Sequence, residues 1–298
     1  MHPRTGPGKL PGSYFLTATA ITVLSFATFG SPPVAAQEVQ VLAAGSAPQG
    51  ISVDGDLSEW SGVEGITVPL AGNGGVDSVE LKAAVAGDTI YVMASWVDAT
   101  ESRLHKPWKW DESAHSYQRT QQLEDRFALT FAMAGDFSES KLSGAEFTAD
   151  VWHWKASRSD PAGVAHDKSW RVSRTEFPKS KEFKSAQGES VYIARPSDDG
   201  DRLYRPVKYS ERLEDVMPRY DVNLSAAGSI ADVKAKGVWR DGRWYLELAR
   251  KLDTGHADDA VIPPAGKITM AVAAFNDVDG RNHSASGKII LQTVAGMN

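Results

Sequence analysis

The chain has 298 residues, a formal net charge of −6 at pH 7, 42% hydrophobic residues and no cysteine. An acidic balance of this kind disfavours nucleic acid and anionic lipid as partners. The lack of cysteine excludes disulfides, covalently attached c-type haem, iron–sulfur clusters and thiolate zinc sites, so any metal must be held by His, Met, Lys, Asp or Glu.

The first 36 residues read as a secretory signal. Arg4 and Lys9 make a positive start, Tyr14 to Phe29 is an uncharged apolar run, and Val34-Ala35-Ala36 places small residues at a cleavage position before Gln37. The apolar run is shorter than the ~20 residues a spanning helix needs, and no later segment is as long and apolar. The expectation is a periplasmic or secreted protein with no stable membrane insertion after cleavage near Ala36. Removing two cations and no acid takes the charge from −6 to −8. Residues 37–298 suit one large β domain.

Strand signals dominate that part. Ile51-Ser-Val-Asp-Gly-Asp-Leu-Ser-Glu-Trp60 offers a strand, an Asp-Gly turn and a Trp to close one end of a sandwich. Asp54, Asp56 and Glu59 either serve that turn or offer oxygen ligands to Ca²⁺, though their spacing is not that of an EF-hand loop. Val79–Val85, the turn Gly87-Asp88 and Thr89–Val97 read as a hairpin, with Ile90, Val92, Ala94 and Trp96 on one face. Trp108–Leu123 is polar and aromatic and reads as a loop, with His105 and His115 flanking Lys106-Pro-Trp-Lys-Trp110. In Phe127–Met133, residues Phe127, Leu129, Phe131 and Met133 align on one face.

Asp150-Val-Trp-His-Trp-Lys-Ala156 concentrates the most chemistry. As a strand it places Val151, His153 and Lys155 on one face and Trp152, Trp154 and Ala156 on the other. The first face either lines a polar or metal-bearing pocket or is solvated. Residues 157–230 form a long insertion rich in charge, Pro and Gly that carries His166, expected to cover one end of the sandwich as an irregular lid with short helices. Val233–Trp239, the turn Arg240-Asp-Gly-Arg243 and Trp244–Arg250 make the clearest hairpin. His256 follows in a turn. Lys267–Phe275 and Lys288–Val294 supply the final strands, with His283 in the loop between them. Many short strands without a helical period point to an all-β, antiparallel β-sandwich. No nucleophile elbow, zinc-hydrolase motif or phosphate-cradling Gly loop is present, so nothing points to catalysis by this chain itself.

Several segments in fixed order carry a family resemblance. They are Asp54 to Trp60; Thr100-Glu-Ser-Arg103 with Lys106-Pro-Trp108; Glu124 to Thr130; Asp150 to Ala156; Ala231 to Trp244; and Phe275 to Ser286. Together they resemble the haem-binding domain of the ethylbenzene dehydrogenase γ-subunit family. The resemblance implies a β-sandwich holding non-covalent haem b, acting in electron transfer as a cytochrome. The redox partner it implies is a molybdenum enzyme with an iron–sulfur subunit. Family members ligate the iron with Met and Lys. This chain has Leu142-Ser-Gly144 where the Met falls and His283-Ser-Ala-Ser286 where the Lys falls, so the resemblance points to His283 as an iron ligand. The second ligand is open between Met133, His153 and a vacant position, the last suiting a haem-based sensor. Trp152 and Trp154 are expected as pocket walls and Lys155 as a partner for the haem propionates. The competing reading is a carbohydrate- or other ligand-binding module without haem, its aromatic residues forming an exposed stacking platform.

Overall fold

A computed structural model describes residues 39–280 and 282–294. The signal assigned to residues 1–36 lies outside the described residues. No α-helix occurs among those described, and the helical turns are single 3₁₀ segments at Ser58–Trp60, Asp160–Ala162 and Ser229–Ala231.

One long sheet makes the fold. Its strands run in the order Lys181–Lys184, Ser190–Ala194, His166–Ser173, Phe147–Lys155, Arg126–Gly135, Gly266–Phe275, Ile289–Thr293, Gln40–Ser46, Ser78–Ala86, Thr89–Val97, Arg243–Lys251 and Lys234–Arg240. Neighbours along this path are antiparallel except Gln40–Ser46, which runs parallel to both of its neighbours. The sheet curls so that its two halves face each other as a sandwich across an aromatic core. Trp96 stacks on Phe127 at 5.2 Å, and Trp154 meets Trp244 edge-on at 5.0 Å. Such pairs add to the burial that drives the packing.

Both hairpins read from the sequence are present. Asp241 and Gly242 have φ of 52° and 76°, the paired positive values that a two-residue type I′ turn requires. Gly237 sits opposite Trp154, and a Cβ there would lie 2.3 Å from the indole Cζ2, so only glycine admits the ring. Asp160 locks this contact by accepting from Trp154 Nε1 at 2.8 Å and from the Gly237 amide at 2.7 Å.

The carboxylates near the first turn hold that turn. Asp54 accepts from the Asp56 amide and Ser52 Oγ, each at 2.7 Å, and Glu59 accepts from the Ser52 amide at 2.7 Å. Glu247 accepts from the Gly55 amide at 2.6 Å and from Trp60 Nε1 at 2.8 Å. Trp60 is buried.

Two regions differ from expectation. Trp108–Leu123 is not a plain loop: Trp108–Asp111 and Ser116–Arg119 form a hairpin that takes Val216–Met217 as a third strand. The 157–230 insertion is not mainly helical or loose. Its first part supplies His166–Ser173, Lys181–Lys184 and Ser190–Ala194, which extend the main sheet by three strands. Edge strands such as Lys181-Glu-Phe-Lys184 carry charge on both sides of their alternation, which hides them from a pattern search while protecting the sheet edge.

Candidate functional site

The register of the sheet places Val151, His153 and Lys155 on the outer face of the Phe147–Lys155 strand, as the alternation requires. Directly opposed residues on neighbouring strands share that face. One row across it reads His166, His153, Ala128, Ala273 and Ala285; the next reads Lys168, Val151, Thr130 and Ala271; the next reads Trp170, Ala149 and Ala132. The middle of the face is therefore floored by alanines, over about 13 Å along the strands and about 14 Å across them. Ala149 and Ala271 already pack with Phe137 and Phe147 in a second buried cluster, so the partly exposed alanines of these rows are Ala132, Ala273 and Ala285.

The rim of this floor carries the chemistry. His283 stands beside Phe275, with ring centroids 5.4 Å apart, and His153 also meets Phe275, at 5.8 Å. The Arg126 guanidinium lies 4.1 Å over the Phe275 ring and donates to the Val278 carbonyl. Lys141 Nζ sits 3.5 Å from the Trp170 ring centroid. Among the described residues no carboxylate pairs with Lys141, and burial pulls its pKa down to about 8.

His283 is half-buried and its Nδ1 has no hydrogen-bond partner. Burial lowers its pKa, assisted by the Lys141 charge and opposed by the Gly280 carbonyl. A neutral imidazole is the form that binds a metal. The backbone beneath it is clamped. Ser284 and Ala285 pair with both the Phe275-bearing strand and Ala71–Gly72, and Ser284 Oγ accepts from the Gly74 amide at 3.1 Å. A Cβ on Gly72 would lie 2.3 Å from the His283 carbonyl oxygen, and one on Gly74 would lie 2.1 Å from the Ser284 nitrogen. The glycines of Gly72-Asn-Gly-Gly75 thus let one chain press against another and fix where His283 stands.

His153 is on the same face, and its buried Nε2 also lacks a partner. Burial first, then the Lys155 charge, holds its pKa well below 6.5. Because the folded value is depressed, the stability that this neutral ring contributes is complete above pH 6.5 and is lost as pH falls. His153→Phe, which keeps an aromatic ring against Phe275, is expected to reduce the loss of stability between pH 7.5 and pH 5 by about 2 kcal/mol. Urea unfolding of both proteins at both pH values measures this; identical pH dependence would mean that His153 already titrates normally in the fold.

Four of the residues assigned from the sequence lie elsewhere or are engaged. Lys155 is buried, with Nζ on His166 Nδ1 and 3.3 Å from Tyr204 Oη. Burial followed by the Arg158 charge holds its pKa well below the usual lysine value, so it does not reach out to an anionic ligand. Trp152 and Trp154 are fully buried between the two halves of the sheet, on the face opposite His153, and line no surface. Met133 sits where the register shifts between Ala132 and Ala134 and packs against that same inner core. There it borders a cleft of about 770 Å³ with Thr148, Arg171, Phe177 and Arg195. Met133 and His283 thus belong to opposite faces of one sheet and cannot share an iron. Of the residues assigned from the sequence, the outer face unites His283 and His153. Arg126, Lys141, Phe275 and the glycine clamp were not assigned, although the density of glycine at 72–75 was a visible signal.

All nine tryptophans are buried or half-buried.

The sequence profile of the family described as ethylbenzene dehydrogenase matches residues 58–287. No curated protein matches the chain. Among solved structures the chain is similar to a family 9 carbohydrate-binding module from Caldicellulosiruptor kristjanssonii in complex with glucose, at 11% identity and a TM-score of 0.36, covering 83% of this chain and 85% of that one. It is also similar to a family 9 module of the same organism in complex with cellotriose, at 9% identity and a TM-score of 0.38, covering 86% and 95%.

Proposed function

Because this chain belongs to the ethylbenzene dehydrogenase family, we propose that its alanine-floored outer face holds a non-covalent b-type haem with His283 on the iron, and that the protein transfers electrons without catalysis of its own. The observation that carries the reading is His283: a neutral, half-buried imidazole, clamped from behind by glycines, at the rim of a face built from small side chains.

When bound, the haem supplies a one-electron ferric–ferrous couple. The chain does the rest. His283 donates a nitrogen lone pair. Phe275 and Trp170 offer apolar edges that exclude water. Arg126 and Lys141, both close enough to His283 to depress its pKa, create a positive field that suits the anionic propionates. With no cysteine in the chain, the attachment is non-covalent. In this reading the protein is exported to the periplasm or beyond, and its redox partner is a molybdenum enzyme with an iron–sulfur subunit.

The test is a spectrum. Protein purified from haem-replete cells is expected to show a Soret band, and acidified acetone is expected to extract all of the pigment. A folded, colourless protein that takes up no added hemin would overturn the proposal. So would pigment that stays with the polypeptide.

A further inference from the structure

Asp232 follows the 3₁₀ turn Ser229–Ala231, while His256 and Asp259 lie in the loop after the Arg243–Lys251 strand. His256 Nδ1 is 3.4 Å from Asp232 Oδ2 and 3.5 Å from Asp259 Oδ2. The three ligand atoms all lie within 4.8 Å of one another. From this geometry we infer that Asp232, His256 and Asp259 bind a zinc ion.

The distances favour zinc over a simple ion-pair cluster. Both contacts are too long for good hydrogen bonds. Ligands about 2.05 Å from a tetrahedral zinc stand about 3.3 Å apart, close to the two separations seen. An imidazole nitrogen among the donors selects zinc over Ca²⁺ or Mg²⁺, which take oxygen.

The charge around the site points the same way. Both Asp232 oxygens are shut off from solvent, and the charged contact to Oδ2 is the long one from His256. Asp259 also belongs to a second, fully buried group with Asp150 and Asp167, in which Asp150 Oδ1 has no partner. Arg250 is the cation that all three of those carboxylates share. One guanidinium thus stands among three carboxylates, and a divalent ion at the outer edge of the set would add positive charge.

Access and support are in place. His256 is 43% exposed, so the ion has an entry path and water can take the fourth vertex. Thr254 Oγ1 donates to Asp259 Oδ2 at 2.5 Å and orients that carboxylate from behind. The zinc ties Asp232, just past the insertion, to the loop that follows the Arg243–Lys251 strand.

The test uses the full chain, dialysed against a chelator and then against 10 μM zinc chloride, with metal counted by mass spectrometry. One zinc per chain is expected, with a rise in thermal midpoint of about 5–10 °C at a hundredfold excess over the dissociation constant. His256→Ala and Asp232→Asn are each expected to lose at least tenfold in bound zinc. His256 is half-exposed, so its replacement leaves the fold intact by circular dichroism. His115→Ala, in a distant hairpin turn, is expected to keep the ion. No zinc in the wild type, full zinc in His256→Ala, or calcium held in preference to zinc would each overturn the assignment. Iron content is read in the same measurement and is expected not to change, which keeps this site separate from the haem face.

Discussion

His283→Ala is expected to lose at least nine-tenths of its haem and to shift the Soret band of what remains. The side chain is the proposed ligand, and its backbone stays pinned by Gly72 and Gly74 whether or not the imidazole is there. The variant therefore removes a donor without moving the rim. Millimolar free imidazole is expected to restore part of the band, because the hole left by the ring has its shape. His256→Ala, at the zinc cluster, is the control and is expected to keep full haem. An unchanged spectrum and unchanged occupancy in His283→Ala would sink the ligand assignment even if the wild type is red.

Arg250→Met is expected to be the most destabilising single change in the sandwich, at about 3–5 kcal/mol. Arg250 is almost fully buried and donates to Asp150 at 2.7 Å, to Asp167 at 3.3 Å and to the Ala260 carbonyl at 2.7 Å, with its guanidinium 4.8 Å over Trp152. Methionine replaces the stem but leaves the carboxylates without their cation. Burial already raises the pKa of both Asp150 and Asp167, and the loss of Arg250 raises them further. A raised folded pKa means that the folded state holds protons the unfolded state has released, so stability falls as pH rises above the unfolded value. The defect is thus expected to be larger at pH 8 than at pH 5. The urea midpoint reads it, as a drop of about 1–2 M. A shift below 0.3 M at pH 8 would mean that the carboxylates are neutralised by something other than Arg250.

What the sequence showed and what it hid follow from how local each signal is. Alternation is local, so the division of residues 150–156 between two faces was legible, and so were the hairpins closed by Gly87-Asp88 and Asp241-Gly242. Which face meets the other half of the sheet is not local. Two tryptophans beside a histidine look like the walls of one pocket, yet the pleat sends them to opposite sides, and the larger apolar rings take the inside. Met133 follows the same logic: its place in line with Phe131 put it in the core and away from His283. Residues 157–230 were misread because their strands extend the sheet to its edge at Lys181–Lys184. There the alternation of a half-buried strand is overwritten by charge. The role of Gly72 and Gly74 needed the three-dimensional contact with Ser284, more than 200 positions away in the chain, and no window of sequence contains it.

The parallel pairing of Gln40–Ser46 with Ile289–Thr293 sets an order of events for the molecule's making. These strands come from opposite ends of the described chain, and they join the two halves of the sheet. Until the later one exists, each half has an open edge where the other belongs, exposed to pairing with another chain. Contacts this distant in sequence form slowly, since the loop between them must close first. The segment bearing His283 lies immediately before the closing strand, so the proposed haem rim is assembled at about the moment the seam shuts. Colour in a growing culture would then count finished, closed molecules, and chains stopped short of Ile289 would stay pale however much haem surrounded them.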